Sequence, residues 1–119
     1  DNYLIRQIVI STGEVTTLAG TGSSGSANGT GTAASFNKPA GITTDGTNLY
    51  VADTFNNHLI RQIVISTGVV TTLAGTAGDN GSANGTGTSA SFYTPMGITT
   101  EGTNLYVTDI NNHLIRQIE

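Results

Sequence analysis

The sequence predicts an all-β protein assembled from a repeated unit, and three observations carry that reading. The run Leu4-Ile5-Arg6-Gln7-Ile8 returns as Leu59-Ile60-Arg61-Gln62-Ile63 and again as Leu114-Ile115-Arg116-Gln117-Ile118. That is a period of 55 residues, and a fixed period of roughly 20–50 residues is the signature of repeat architectures. The apolar runs are short and separated by turn sequences such as Asp45-Gly46 and Ser66-Thr67-Gly68, as strands are and helices are not. Composition agrees: 16 glycines and only 10% charged residues among 119 suit short strands joined by turn-rich loops.

Each element can be justified in turn from one repeat. Gly41-Ile42-Thr43-Thr44 reads as the first strand, stopped by Asp45-Gly46. Asn48-Leu49-Tyr50-Val51-Ala52 is the second, followed by a turn over residues 53–57. The apolar run 59–65 is the third, and after Ser66-Thr67-Gly68 comes the fourth, Val69-Val70-Thr71-Thr72-Leu73. Four short strands with tight connections form an antiparallel meander, which has two faces to cover and must stack on copies of itself. That unit is a β-propeller blade.

The long Gly-rich stretches between repeats fit the passage from the outer strand of one blade to the inner strand of the next, with Phe36 and Phe92 plugging the crossing. The segment 25–53 matches 81–109 at a spacing of 56 rather than 55, so one residue was gained in one turn-rich stretch and lost in another, where length changes are tolerated. The expected organisation is therefore a single propeller segment over 1–119. It comprises a partial blade 1–21, a linker 22–38, a full blade 39–76, a linker 77–94 and a partial blade 95–119, about two blades with one redundant strand.

Charge and composition exclude several classes. With a net charge of −4 and four basic residues, the chain lacks the clustered Lys and Arg that phosphate contacts need, so no nucleic-acid partner is expected. No apolar run approaches the roughly 20 residues of a membrane-spanning helix, and none has the layout of a secretory signal. The absence of cysteine rules out disulfides, thiolate metal sites and a cysteine nucleophile without fixing the compartment. The start at Asp1, directly before a strand pattern, reads as a processed or excerpted chain.

The residues Pro39-Ala40-Gly41-Ile42, Asp45-Gly46, Leu49-Tyr50-Val51-Ala52-Asp53 and Asn57-His58-Leu59-Ile60-Arg61 together resemble the NHL repeat. The second copy supplies Pro95-Met96-Gly97-Ile98, Glu101-Gly102, Leu105-Tyr106-Val107-Thr108-Asp109 and Asn112-His113-Leu114-Ile115-Arg116. Glu101 departs from the turn Asp of the pattern, and Leu59 and Leu114 stand where a basic residue often follows the His. The resemblance implies a propeller. Because the linkers look like those of bacterial, exported members of the family, it also implies an extracellular or periplasmic home. Family members include interaction scaffolds, adhesion proteins, RNA-binding propellers and a few related enzymes, so the fold does not choose among them.

Candidate chemistry is weighed against its repetition. His58 and His113 could converge as metal ligands, but each occupies the same turn-to-strand position in its blade, which favours a hydrogen bond to a neighbouring loop. Asp53 and Asp109, with Asp45 and Glu101, repeat in the same way and are expected to accept backbone N–H groups at turns. Arg61 and Arg116, like Arg6, are expected to pair with a nearby carboxylate. The loop Gly78-Asp79-Asn80-Gly81 has too few carboxylates for calcium. Asn28, Asn80 and Asn84 each begin an N-glycosylation acceptor triplet in an exposed linker. No catalytic residue, metal or cofactor is assigned.

Propellers close with about four to eight blades, and two blades alone leave apolar faces in water. The expected function is thus structural or adhesive, an interaction scaffold rather than an enzyme, whose partners are copies of itself stacked head to tail or exchanging strands, with glycans as a further ligand class. Three copies would make a six-bladed ring, and a rotation that fails to close would give a filament. The alternatives are a fragment of a metal-dependent propeller enzyme, or a lectin-like propeller.

Overall fold

A computed structural model describes all 119 residues, Asp1–Glu119. Its strands are β1 (Ile5–Ile8), β2 (Val15–Ala19), β3 (Gly29–Thr30), β4 (Pro39–Thr44), β5 (Asn48–Asp53), β6 (Leu59–Val64), β7 (Val69–Ala74), β8 (Pro95–Glu101), β9 (Asn104–Asp109) and β10 (Leu114–Ile118). The only helical pieces are single 3-10 turns at Gly31–Ala33, Gly87–Ser89 and Ile110–Asn112. The fold is all-β, as the sequence predicts.

Three antiparallel sheets follow one another along the chain. β1 and β2 form a hairpin, β4-β5-β6-β7 form a complete meander, and β8-β9-β10 form a meander that stops one strand short. The turn between β4 and β5 shows why the sequence folds locally as it does. Asp45 Oδ1 accepts the N–H groups of Thr47 and Asn48 at 3.0 and 2.8 Å, while Gly46 takes a φ of +93° that side chains disfavour. The Tyr50 hydroxyl donates to the other oxygen of Asp45 at 2.8 Å. These donors, the Asn48 N–H foremost, hold the Asp45 carboxyl below its ordinary value.

The first linker is more than a connector. Gly29–Thr30 pairs antiparallel with Val70 and Val69, adding a fifth strand to the outer edge of the middle sheet. Turn-rich composition hid this strand from the sequence, because two residues carry no alternation to read.

Alternation along β5 and β6 sends side chains to opposite faces of the middle sheet, and each face has its own core. One joins it to the β1–β2 hairpin through Ile5, Ala19, Phe36, Val51, Ile63 and Val70. The other joins it to the third sheet through Ala52, Ile60, Ala74, Phe92, Leu105 and Val107. Phe36 and Phe92, which the linkers carry, are both buried in these seams. Each such aromatic contributes about 1.5–3 kcal/mol by leaving water. The inner strands β4 and β8 run side by side, close enough that Gly41 faces the Met96 carbonyl with no room for a Cβ. Thr43 and Thr100 share a hydroxyl hydrogen bond of 3.0 Å between them.

Candidate functional site

The strongest concentration of polar chemistry is a buried arginine cage that occurs twice. In the middle blade, β6 places Arg61 beside Asp53 at the end of β5, with Nη1 donating to Asp53 Oδ2 at 2.7 Å and both side chains fully buried. Nη1 also donates to the Ser35 carbonyl, and Nη2 to the Ala27 carbonyl and to Asn28 Oδ1, at 2.9, 2.9 and 3.0 Å. The guanidinium lies over the Phe36 ring, 4.9 Å from its centroid, a cation–π geometry. Asn57 donates to the same Asp53 Oδ2 at 2.7 Å and to the Gly25 carbonyl at 2.7 Å, and the Asn37 N–H reaches Asp53 Oδ1 at 2.8 Å.

The third blade repeats this set. Arg116 donates to Asp109 at 2.8 Å, to the carbonyls of Ser91 and Ala83, each at 2.9 Å, and to Asn84 Oδ1 at 3.0 Å, over the ring of Phe92. Asn112 and the Tyr93 N–H take the places of Asn57 and Asn37 on Asp109. In both blades the cage staples the incoming linker to the blade it precedes. Burial pushes the Asp53 carboxyl above its ordinary value, against its three donors and the charge of Arg61. A buried carboxylate held by three donors at 2.7–2.8 Å is occupied with structure.

The sequence signalled Asp53, Asp109, Arg61 and Arg116, and the structure brings each pair together as an ion pair. It did not single out Asn57, Asn112, Ser35 or Ser91, which complete the cages; their recurrence in both repeats was the available signal. Asn28 and Asn84, read from their triplets as exposed modification acceptors, have a second role, since their side-chain oxygens each hold an arginine. Asn80 lies exposed, outside either cage.

The histidines part company. Both adopt the left-handed region, φ 54° and 60°, but only His58 is buried. Its Nδ1 accepts the Thr94 N–H of the following linker at 3.1 Å, and its ring meets Tyr93 edge-on at 5.4 Å. Burial holds the His58 imidazole below its ordinary 6.5, against the opposing pull of the Asp109 carboxylate. His113, at the equivalent turn of the third blade, is exposed. No three His, Cys, Asp or Glu side chains are grouped so as to hold a metal ion.

An opening of about 700 Å³ lies beside β10 and against the second linker, with Leu73, Ala90, Phe92, Ile115 and Ile118 among its walls. It occupies the place that β7 fills in the middle blade. Gly85-Thr86, the counterpart of Gly29–Thr30, borders it and forms no strand.

No protein-family model matches the chain. It is 38% identical over 99 residues to human NHL repeat-containing protein 2, covering 80% of this chain, and 37% identical to the cattle protein over the same length. The chain spans about one seventh of those relatives, 14% of their length. Among solved structures, a protein of unknown function from Bacteroides thetaiotaomicron superposes with a TM-score of 0.90 at 25% identity, over 98% of this chain and 30% of that one. An auxiliary nutrient binding protein from Bacteroides ovatus superposes at 0.81 with 23% identity, over 99% and 32%, a likeness of fold.

Proposed function

Because this chain is built of NHL-type β-propeller repeats, we propose that it is a structural and interaction scaffold that assembles with copies of itself, head to tail, and carries out no catalysis. The observation that supports this most is that the middle blade takes a core from the sheet on either side of it, so that such a repeat covers its two faces only against further repeats. An open sheet edge is a template for another strand, and the surface beside β10 leaves Leu114 and Ile115 exposed, where the equivalent Leu59 and Ile60 are buried. The chemistry points the same way. The buried charged groups recur in the middle and third blades and are consumed in joining linker to blade.

Mass in solution tests the reading. Light scattering over a wide concentration range should show multiples of the 12.2 kDa chain, with three copies giving a six-bladed ring, inside the range of about four to eight blades in closed propellers. Electron microscopy of the same sample separates rings from filaments. A chain that stays monomeric at the highest concentration overturns the proposal.

A further inference from the structure

We propose that Asn80 is a site of spontaneous chemical modification, its side-chain amide closing onto the Gly81 nitrogen and then hydrolysing to an aspartyl or isoaspartyl residue. The inference goes beyond the scaffold reading and does not depend on how copies assemble. Asparagine followed by glycine occurs at Asn28-Gly29, Asn80-Gly81 and Asn84-Gly85, and in this dipeptide no side chain shields the attacking nitrogen. The first linker has Ser24-Gly25 where the second has Asn80-Gly81. Asn80 is thus the one of the three without a counterpart in the other linker.

The fold compels the glycine. A Cβ at position 81 would lie 2.7 Å from Ser91 Oγ, and the Gly81 carbonyl accepts the Asn112 amide at 2.6 Å. Gly25 is held in the same way, with Ser35 Oγ 2.5 Å from its Cβ position and Asn57 on its carbonyl. Packing therefore fixes glycine at both places, and the residue in front of it decides the reactivity.

Asn28 and Asn80 are both exposed, but they are held differently. Asn28 Oδ1 takes Arg61 Nη2 at 3.0 Å and the Thr72 hydroxyl at 3.3 Å, and Gly29 lies opposite Val70. Since the Gly31 N–H donates to the Gly68 carbonyl at 2.8 Å, the two-residue alternation of an antiparallel ladder makes Gly29 and Val70 a hydrogen-bonded pair as well. Both reacting groups are tied down there. The Asn80 side chain lies outside the cages that hold Asn28 and Asn84. The Gly81 N–H donates to the Phe92 carbonyl at 3.1 Å through an isolated bridge, at the end of a run of exposed residues, 76–80. Freeing it takes a local loop opening, whereas freeing Gly29 means unpairing β3 from the middle sheet.

The reaction needs only water. The Gly81 nitrogen bonds to Asn80 Cγ, its proton passes to the amide nitrogen, the Cγ–Nδ2 bond breaks and ammonia leaves a five-membered succinimide. Water then adds its hydroxyl to one ring carbonyl and returns a proton to the ring nitrogen. Opening at Cγ gives the aspartyl product, and opening at the main-chain carbonyl gives the isoaspartyl one, with Cβ inserted into the main chain. Either places a new carboxylate beside Asp79. The isoaspartyl form also lengthens the chain directly ahead of the peptide that Phe92 and Asn112 grip. Asn112 holds Asp109 at 2.7 Å as well, so the change reaches the cage that staples the second linker to its blade.

Ageing the whole chain in mildly alkaline buffer, with peptide mapping by mass spectrometry, reads each asparagine, and a sample unfolded in urea gives the rates of the bare sequence. In the folded chain Asn80 should convert at least about tenfold faster than Asn28, and the two rates should converge in urea. Asn28 keeping pace with Asn80 in the folded chain overturns the proposal, as does an Asn80 that stays intact when folded and reacts only in urea. Asn80→Ser, which copies the first linker, should abolish the fast release of ammonia and leave the circular dichroism spectrum unchanged. Release at the parent rate from that variant also overturns it. None of these outcomes bears on the scaffold reading, which stands or falls on the mass in solution.

Discussion

The middle and third blades are nearly one sequence in two surroundings. Leu59 and Ile60 are 1% and 0% exposed, whereas Leu114 and Ile115 are 43% and 72% exposed, although each pair belongs to the same Leu-Ile-Arg-Gln-Ile run. His58 is buried against the next linker and His113 is exposed. Gly29–Thr30 is a strand and Gly85-Thr86 is not. What differs is the neighbour. A blade acquires its buried core from the sheets on either side, so the repeat encodes a unit whose stability resides largely in its interfaces. The arginine cages are the exception: they form in both blades, because everything they need comes from one linker and two strands.

That contrast is tested most severely by removing an arginine. Arg61→Ala should cost about 3–5 kcal/mol, since it leaves the fully buried Asp53 without its cation. Arg116→Ala should cost about half as much, because β10 is an edge strand and the stranded Asp109 can reach water when it frays. Urea denaturation of the two variants reads the difference. Equal losses would mean that the third blade is as cooperative as the middle one.

Next comes the packing of the inner strands. A Cβ at Gly41 would run into the Met96 backbone, so Gly41→Ala must push β4 from β8 and should cost about 1–3 kcal/mol as overpacking. The matching Gly97→Ala would meet only the exposed Thr108 side chain, its hydroxyl at 2.9 Å, which can turn toward water and give up the hydrogen bond it accepts from the Gly97 N–H. Its loss should stay below about 1 kcal/mol by thermal denaturation. The glycine between two blades is thus expected to matter more than its twin on the open side.

These comparisons also mark what was legible in the sequence. The period and the four strands of the full blade follow from repetition and alternation, which are properties of the chain alone; the pairing of Arg61 and Arg116 with carboxylates was expected from the scarcity of charge around them, whereas Arg6, expected to pair likewise, is exposed and takes part in neither ion pair. The β3 strand was not legible, because its two residues are extended only by virtue of the β7 edge they meet. Nor was the structural use of Asn28 and Asn84. An Asn-Gly-Thr triplet reads as a turn or an acceptor site, and only the folded linker shows its amide oxygen on a buried guanidinium. The divergence of His58 from His113 was hidden for the same reason: both open the same His-Leu-Ile-Arg run, and the contact with Thr94 is made by His58.

Asn28 and Asn80 extend the test to the linkers. Both are exposed asparagines that start an acceptor triplet, but only Asn28 takes an arginine N–H and the Thr72 hydroxyl on its side-chain oxygen. Asn28→Ala should cost about 1–2 kcal/mol, as expected for a hydrogen bond to a charged group. Asn80→Ala should fall within about 0.5 kcal/mol of the parent, like other surface changes. Hydrogen exchange at Val69 and Val70 should rise in the first variant alone, because Gly29–Thr30 pairs there.

The smallest effect expected is a pH dependence that belongs to the occupied interface. His58 Nδ1 accepts the Thr94 N–H, which requires that nitrogen to be unprotonated, and burial holds the imidazole below 6.5. With the folded value depressed, the unfolded chain takes up the proton first as pH falls. The contribution of His58 is then complete above about pH 6.5 and is lost progressively as pH drops through the folded value. Melting curves between pH 8 and 5 should fall toward the acid side, and His58→Gln, which keeps a side-chain acceptor without a titrating group, should flatten that fall. If the slope survives the substitution, the acid sensitivity arises outside the seam between the second and third blades, and His58 serves there only as an apolar edge against Tyr93.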